Sequence, residues 1–135
     1  MPFLMDTGAL YALADSDDAW HGRMRTFIEE EPRVFLVPVT VLPETTYLLR
    51  SRLGPVAENL FIASVAAGEM SLEGLRSADV ARTVEIMKRY AFLGFVDASL
   101  VAIAERLRLA AIVTTDRRNF RRIKPKHVKA FELLP

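Results

Sequence analysis

Four acidic residues, Asp6, Glu44, Asp97 and Asp116, stand where an apolar stretch ends or where a helix is expected to turn inward. Buried carboxylates lose hydration and repel one another, so a fold that gathers several of them needs a cation between them. Asp6 follows Pro2-Phe3-Leu4-Met5, and Asp116 follows Ala111-Ile112-Val113-Thr114-Thr115. Each therefore falls just past the carboxyl end of a short buried strand, the edge at which open α/β sheets bind ligands. Glu44 and Asp97 lie near the starts of two apolar helices that can lean over that edge. The chain has no cysteine and no histidine pair at ligand spacing. An all-oxygen donor set suits Mg²⁺ or Mn²⁺ rather than zinc.

The elements that must carry these acids follow from the apolar pattern. Strands are expected at 1–5, 34–37, 70–73, 111–114 and 130–133, from short β-rich or continuously apolar runs. Helices are expected at 7–14, 19–31, 40–53, 56–67, 77–90 and 98–109, with Thr40 and Asp97 as N-caps of two of them. Pro32, Gly54-Pro55 and Gly68 interrupt the pattern. Strands that alternate with helices predict an α/β fold: a short central parallel sheet of about 4–5 strands with helices on both faces. No repeat, low-complexity tract or linker divides 1–135, which reads as one compact domain.

Each acid also has a plain structural reading. Asp6 and Asp97 can cap helices, although a carboxylate has two oxygens and capping leaves one free. Asp116 can be a turn residue, with Thr114 and Thr115 beside it to orient a carboxylate or water. Glu44 shares a face with Val41 and Leu48 at i, i+3 and i+7, which points it toward the core, unless Arg50 or Arg52 pairs with it or it sits at the rim. Asp6-Thr7-Gly8 matches the tripeptide of aspartic proteases, but those enzymes are mostly β and need two copies, whereas this helix-rich chain has one.

Composition places the chain among ordinary globular proteins, at 51% hydrophobic and 26% charged. No apolar run approaches the roughly 20 residues of a membrane helix, no basic N-terminal region marks a secretory signal, and the lack of cysteine fits a reducing cytoplasm. The net charge is only +1, yet seven of the 18 Lys+Arg residues lie between Arg117 and Lys129 with no acid among them. This basic segment starts directly after Asp116. Arg117, Arg118, Arg121, Arg122 and Lys124 are therefore expected to lie beside the acidic edge and neutralise phosphates, the plain alternative being a solvated surface loop and helix. Only Phe120 lies within the segment, so no stacking surface is visible there.

Together, Asp6-Thr7 after a strand, Glu44 on a helix, Asp97 opening an apolar helix and Thr115-Asp116-Arg117-Arg118-Asn119-Phe120 after a late strand resemble the PIN domain, a three-layer α/β fold. More narrowly, the chain is similar to the VapC-type toxins, over essentially its whole length. The departure is Gly8, where the family frequently has Ser or Asn. His21 falls where such proteins often carry histidine, and it is read as structural.

The resemblance implies metal-dependent hydrolysis of RNA phosphodiester bonds. Asp6 and Asp97 would be the principal metal ligands, Glu44 and Asp116 would complete the site, and Thr7 and Thr115 would stand behind the ligands. It also implies a cognate antitoxin and a homodimer; Trp20, Phe27, Phe61 and Ile62 can offer apolar surface for either, with core the better reading of any one of them. A non-catalytic PIN-like RNA-binding module is the alternative; such a protein should have lost one or more acids, and this chain keeps four. A phosphoacceptor receiver-like domain would want paired acids after the first strand, and Asp6 stands alone.

Overall fold

A computed structural model describes residues 1–135. Five strands, β1 (Phe3–Met5), β2 (Phe35–Pro38), β3 (Ser71–Glu73), β4 (Ala111–Val113) and β5 (Glu132–Leu134), form one sheet in the order β3-β2-β1-β4-β5. Every pairing is parallel. All three residues of β1 and all three of β4 are buried, which requires cover on both faces of the sheet. That explains why these strands read as continuous apolar runs with no alternation.

Seven helices supply the cover: α1 (Thr7–Ala14), α2 (His21–Glu30), α3 (Val41–Leu53), α4 (Pro55–Ala66), α5 (Ser77–Arg89), α6 (Phe95–Leu107) and the short α7 (Arg117–Arg121). Helix α1 packs on α2 and α3, α3 on α4, and α5 on α6. The core includes Leu4, Met5, Leu10, Met24, Val37, Leu49, Ile86, Leu100, Ile103, Ile112 and Phe120. At the amino end of the strands, the rings of Phe3, Phe27 and Phe35 meet at centroid distances of 5.9–6.2 Å, which pins α2 to β1 and β2.

The expected elements are present, with shifted ends. Two expected caps are not. Helix α6 begins three residues early, with Gly94 as its N-cap, so Asp97 lies inside the first turn. Thr40 precedes α3 without a side-chain capping bond. Its hydroxyl instead meets the Ser99 hydroxyl at 2.7 Å. This contact ties the start of α3, which carries Glu44, to the start of α6, which carries Asp97.

Candidate active site

The register β1–β4, with Met5 opposite Val113, brings the residues after both strands together at the carboxyl edge of the sheet. The Asp6 N–H continues the ladder by donating to the Val113 carbonyl at 3.1 Å. Asp6 is only 5% exposed, and both its oxygens are engaged. Oδ1 accepts the Ala9 N–H at 2.9 Å, which caps α1, and Oδ2 accepts the hydroxyl of Thr114. The oxygen that capping was expected to leave free therefore carries the Thr114 bond, and an ion would have to use a second lone pair of either oxygen.

Asp97 is half-buried in the first turn of α6, where the helix dipole favours negative charge. Asp116 is exposed, and its N–H donates to the Thr114 hydroxyl oxygen at 2.9 Å. Glu44 is exposed as well, which corrects the expectation that it points inward with Val41 and Leu48. The buried residues of α3 are Val41, Thr45 and Leu49. That face is centred on Thr45, and at about 100° per residue Glu44 falls on its flank.

Electrostatics show that the acids nonetheless share one field. Burial pushes the Asp6 carboxyl up to about 7, with the charges of Asp97 and Asp116 adding to it and the bonds from Thr114 and Ala9 opposing. Burial also lifts Asp97 to about 6, helped by the charges of Asp116 and Glu44. No ion pair neutralises any of the four. A site that raises its own carboxylates and supplies no cation fits a metal ion by donor chemistry. The acids do not form a closed cage, since no three side chains stand at metal-holding spacing. Open spacing of this kind suits an ion that keeps several of its waters.

Around the acids, Thr7 is buried with its hydroxyl unpartnered. Thr115 is half-buried, and its hydroxyl occupies the space that a Cβ on Gly8 would fill. Glycine at position 8 is therefore matched to Thr115. The hydroxyl bonded to Asp6 belongs to Thr114, which corrects the expectation that Thr115 supplies it. His21 bonds through Nδ1 to the Ala12 carbonyl at 2.7 Å, a structural link between α1 and α2.

The basic segment runs away from Asp116 through α7. Arg118, Arg121, Arg122 and Lys124 are exposed. Arg117 differs: its Nε and Nη2 are buried without hydrogen-bond partners, and its guanidinium lies 5.5 Å from the centre of the Trp20 ring. Arg122 lies 3.7 Å from the centre of the Phe92 ring. Both aromatic partners come from distant segments, which is why the basic stretch looked bare of aromatics.

Comparison with known proteins agrees with this architecture. The chain is 29% identical to "Ribonuclease VapC26" of Mycobacterium tuberculosis across 134 residues, covering 98% of this chain and 99% of that one. Its fold superposes on the M. tuberculosis VapC20, described as a sarcin-ricin loop cleaving toxin, with a TM-score of 0.81 at 24% identity, covering 87% of this chain and 92% of that one. It also superposes on the DNA-bound VapBC of Salmonella typhimurium with a TM-score of 0.73 at 20% identity, covering 98% of each chain. The PIN domain description matches residues 3–126, which span all four acids, and the chain belongs to the PIN domain family.

Proposed function

We propose that this chain is an endoribonuclease that hydrolyses RNA phosphodiester bonds with Mg²⁺ or Mn²⁺, as the toxin component of a type II toxin–antitoxin pair. The observation that carries the reading is Asp6: a carboxylate buried at the sheet edge, raised to about 7, with acids for neighbours and no basic partner. The ribonuclease and toxin descriptions of the relatives support it.

Asp6 and Asp97 are the principal ligands in this reading, with Glu44 and Asp116 reaching the ion directly or through water. When bound, the ion would acidify a water and stabilise the leaving oxygen of the phosphodiester. Thr114 holds Asp6 in one orientation, and Thr7 and Thr115 stand behind the acids. Arg117, Arg118, Arg121, Arg122 and Lys124 supply positive charge beside the acids, where a single-stranded or looped RNA backbone can lie. Residues 1–135 act in this reading as a single nuclease domain.

Protein partners belong to the same proposal. An apolar groove of about 360 Å³, lined by residues including Leu10, Leu13, Ile28, Leu60, Phe61 and Met70, opens between α1, α2 and α4. It is a surface on which an antitoxin segment can bury apolar side chains. Exposed Val80, Val84 and Met87 on α5 offer a second apolar stripe for a homodimer. A structure of similar fold from Klebsiella pneumoniae is described as a toxin-antitoxin complex.

The test is cleavage of structured RNA by the wild type and by Asp97→Asn, with Mg²⁺, with Mn²⁺ and with a chelator. Cleavage by the wild type alone, stopped by the chelator, is the expected result. RNA binding without cleavage or metal binding would replace this reading with a non-catalytic RNA-binding module.

A further inference from the structure

The guanidinium carbon of Arg122 sits over the Phe92 ring, 3.7 Å from its centroid. Phe92 is itself half-buried and meets Tyr90 edge to face, with centroids 6.0 Å apart at 69°. The Tyr90 hydroxyl accepts the N–H of Lys124 at 3.1 Å, so the segment after α7 is tied to the loop before α6. Arg122 is exposed and forms no ion pair. Its guanidinium carbon sits over the Phe92 ring while the residue as a whole stays open to solvent.

This pair is built from the two segments that deliver the acids. Arg122 is the C-cap of α7 and Asp116 its N-cap, so the short helix separates the two by only about 9 Å along its axis. Phe92 lies five residues before Asp97 in the chain. An arginine parked on an aromatic ring has lost much of its rotational freedom before any ligand arrives. Its outer plane can stack on a base, while its N–H edge remains available to a phosphate. Arg117 offers no such plane, because its Nε and Nη2 are buried near Trp20. Arg118 and Arg121 have no aromatic ring beneath them.

We propose that Phe92 and Arg122 form a base-stacking subsite that holds one unstacked nucleobase of single-stranded or looped RNA next to the acidic centre. The proposal rests on the ribonuclease reading and adds to it a contact with the base rather than the phosphate. It also separates Arg122 from the other arginines of the segment, whose contribution is charge.

The test uses the full chain carrying Asp97→Asn, without divalent ions, and two labelled ten-nucleotide probes. One is oligoadenylate RNA and the other an abasic ribose-phosphate strand of equal length. Kd is read by fluorescence anisotropy over a series of salt concentrations. The adenylate strand is expected to bind about tenfold more tightly than the abasic strand. Arg122→Lys should keep the salt slope of the abasic strand, because charge is unchanged, and bring the ratio between the strands close to one. Phe92→Leu should do the same; if it unfolds, the surface variant Arg122→Lys decides alone. Equal binding of both strands, or a ratio that survives Arg122→Lys, overturns the subsite and leaves a staple between α7 and the loop before α6. Binding of neither strand, together with no cleavage by the wild type, overturns the ribonuclease reading as well.

Discussion

The hydroxyl of Thr114 donates to Asp6 across 108 residues of chain, and the same oxygen accepts the N–H of Asp116 at 2.9 Å. One fully buried side chain thus sets the carboxylate at the end of β1 and the backbone that presents the acid after β4. Thr114→Val removes both bonds while keeping the shape. Leaving a buried acceptor and a donor without partners should cost about 1–3 kcal/mol in urea denaturation. If Asp6 holds a metal as proposed, cleavage should fall roughly 10–100-fold, the usual effect of losing a group that orients a metal ligand. Thr114→Ser should recover most of both, and equal activity of the Val variant would show that Asp6 does not need this bond.

Asp6 should make stability depend on pH in an unusual direction. Its carboxyl is held at about 7 in the fold against an ordinary value of 3.8, so the folded state keeps the proton longer. Below about pH 4 both states are protonated and the shift has no effect. Between about 4 and 7 the unfolded chain ionises first and stability falls, and above about 7 the loss is complete. Asp97, held at about 6, adds a smaller slope of the same sign. In metal-free buffer at pH 8, Asp6→Asn should stabilise the protein by about 2–4 kcal/mol. The gain should vanish near pH 4 in a thermal-unfolding series.

Divalent ions should reverse that loss. A cation that binds the ionised site of the folded protein only should raise Tm at pH 8 by several degrees, and by much less at pH 5, where Asp6 and Asp97 hold their protons. Asp97→Asn should blunt the effect. A Tm indifferent to Mg²⁺ and Mn²⁺ at pH 8 would remove the acids from metal binding.

Gly8 and Thr115 are a steric pair. Gly8→Ala places a Cβ against the Thr115 hydroxyl, which must rotate away. A cost of about 1 kcal/mol is expected. In a Thr115→Ala background the same change should be neutral or stabilising, because alanine is the better helix former. A double-mutant cycle reads the coupling directly, and additive effects would show that the two do not touch.

The buried pair between α5 and α6 should be far less forgiving. Asp79 is 2% exposed, and Arg106 Nε lies 2.9 Å from its Oδ1, while Arg106 Nη2 also reaches Glu73 at 3.2 Å. Arg106→Met strands the Asp79 charge and should cost about 3–5 kcal/mol at pH 7. Arg106→Met with Asp79→Leu should recover much of that, measured by denaturant midpoint.

The sequence made the scaffold readable because the three central strands are short apolar runs and most helices end at Pro, Gly or an acidic cluster. Asp6 and Asp116 were placed correctly at the sheet edge by the same logic. Glu44 was misread because i, i+3, i+7 and i, i+4, i+8 faces differ by a small rotation, and the polar Thr45 hid the centre of the buried one. Thr115 was expected where Thr114 stands, since a strand buried on both faces has no alternation to extend. The ring partners of Arg117 and Arg122 were out of reach, because Trp20 and Phe92 arrive through the fold and not through the chain.

The parallel register that sets β1 beside β4 also governs timing. Residue 6 leaves the ribosome first, but its carboxylate has neither its Thr114 bond nor its acidic neighbours until residues 97–116 have followed and β4 has slotted in next to β1. Non-local parallel pairing of this kind is slow to close. A nascent chain of this protein therefore carries a lone carboxylate at residue 6 until β4 has been made, and on the nuclease reading the ribosome works beside a centre that does not yet exist.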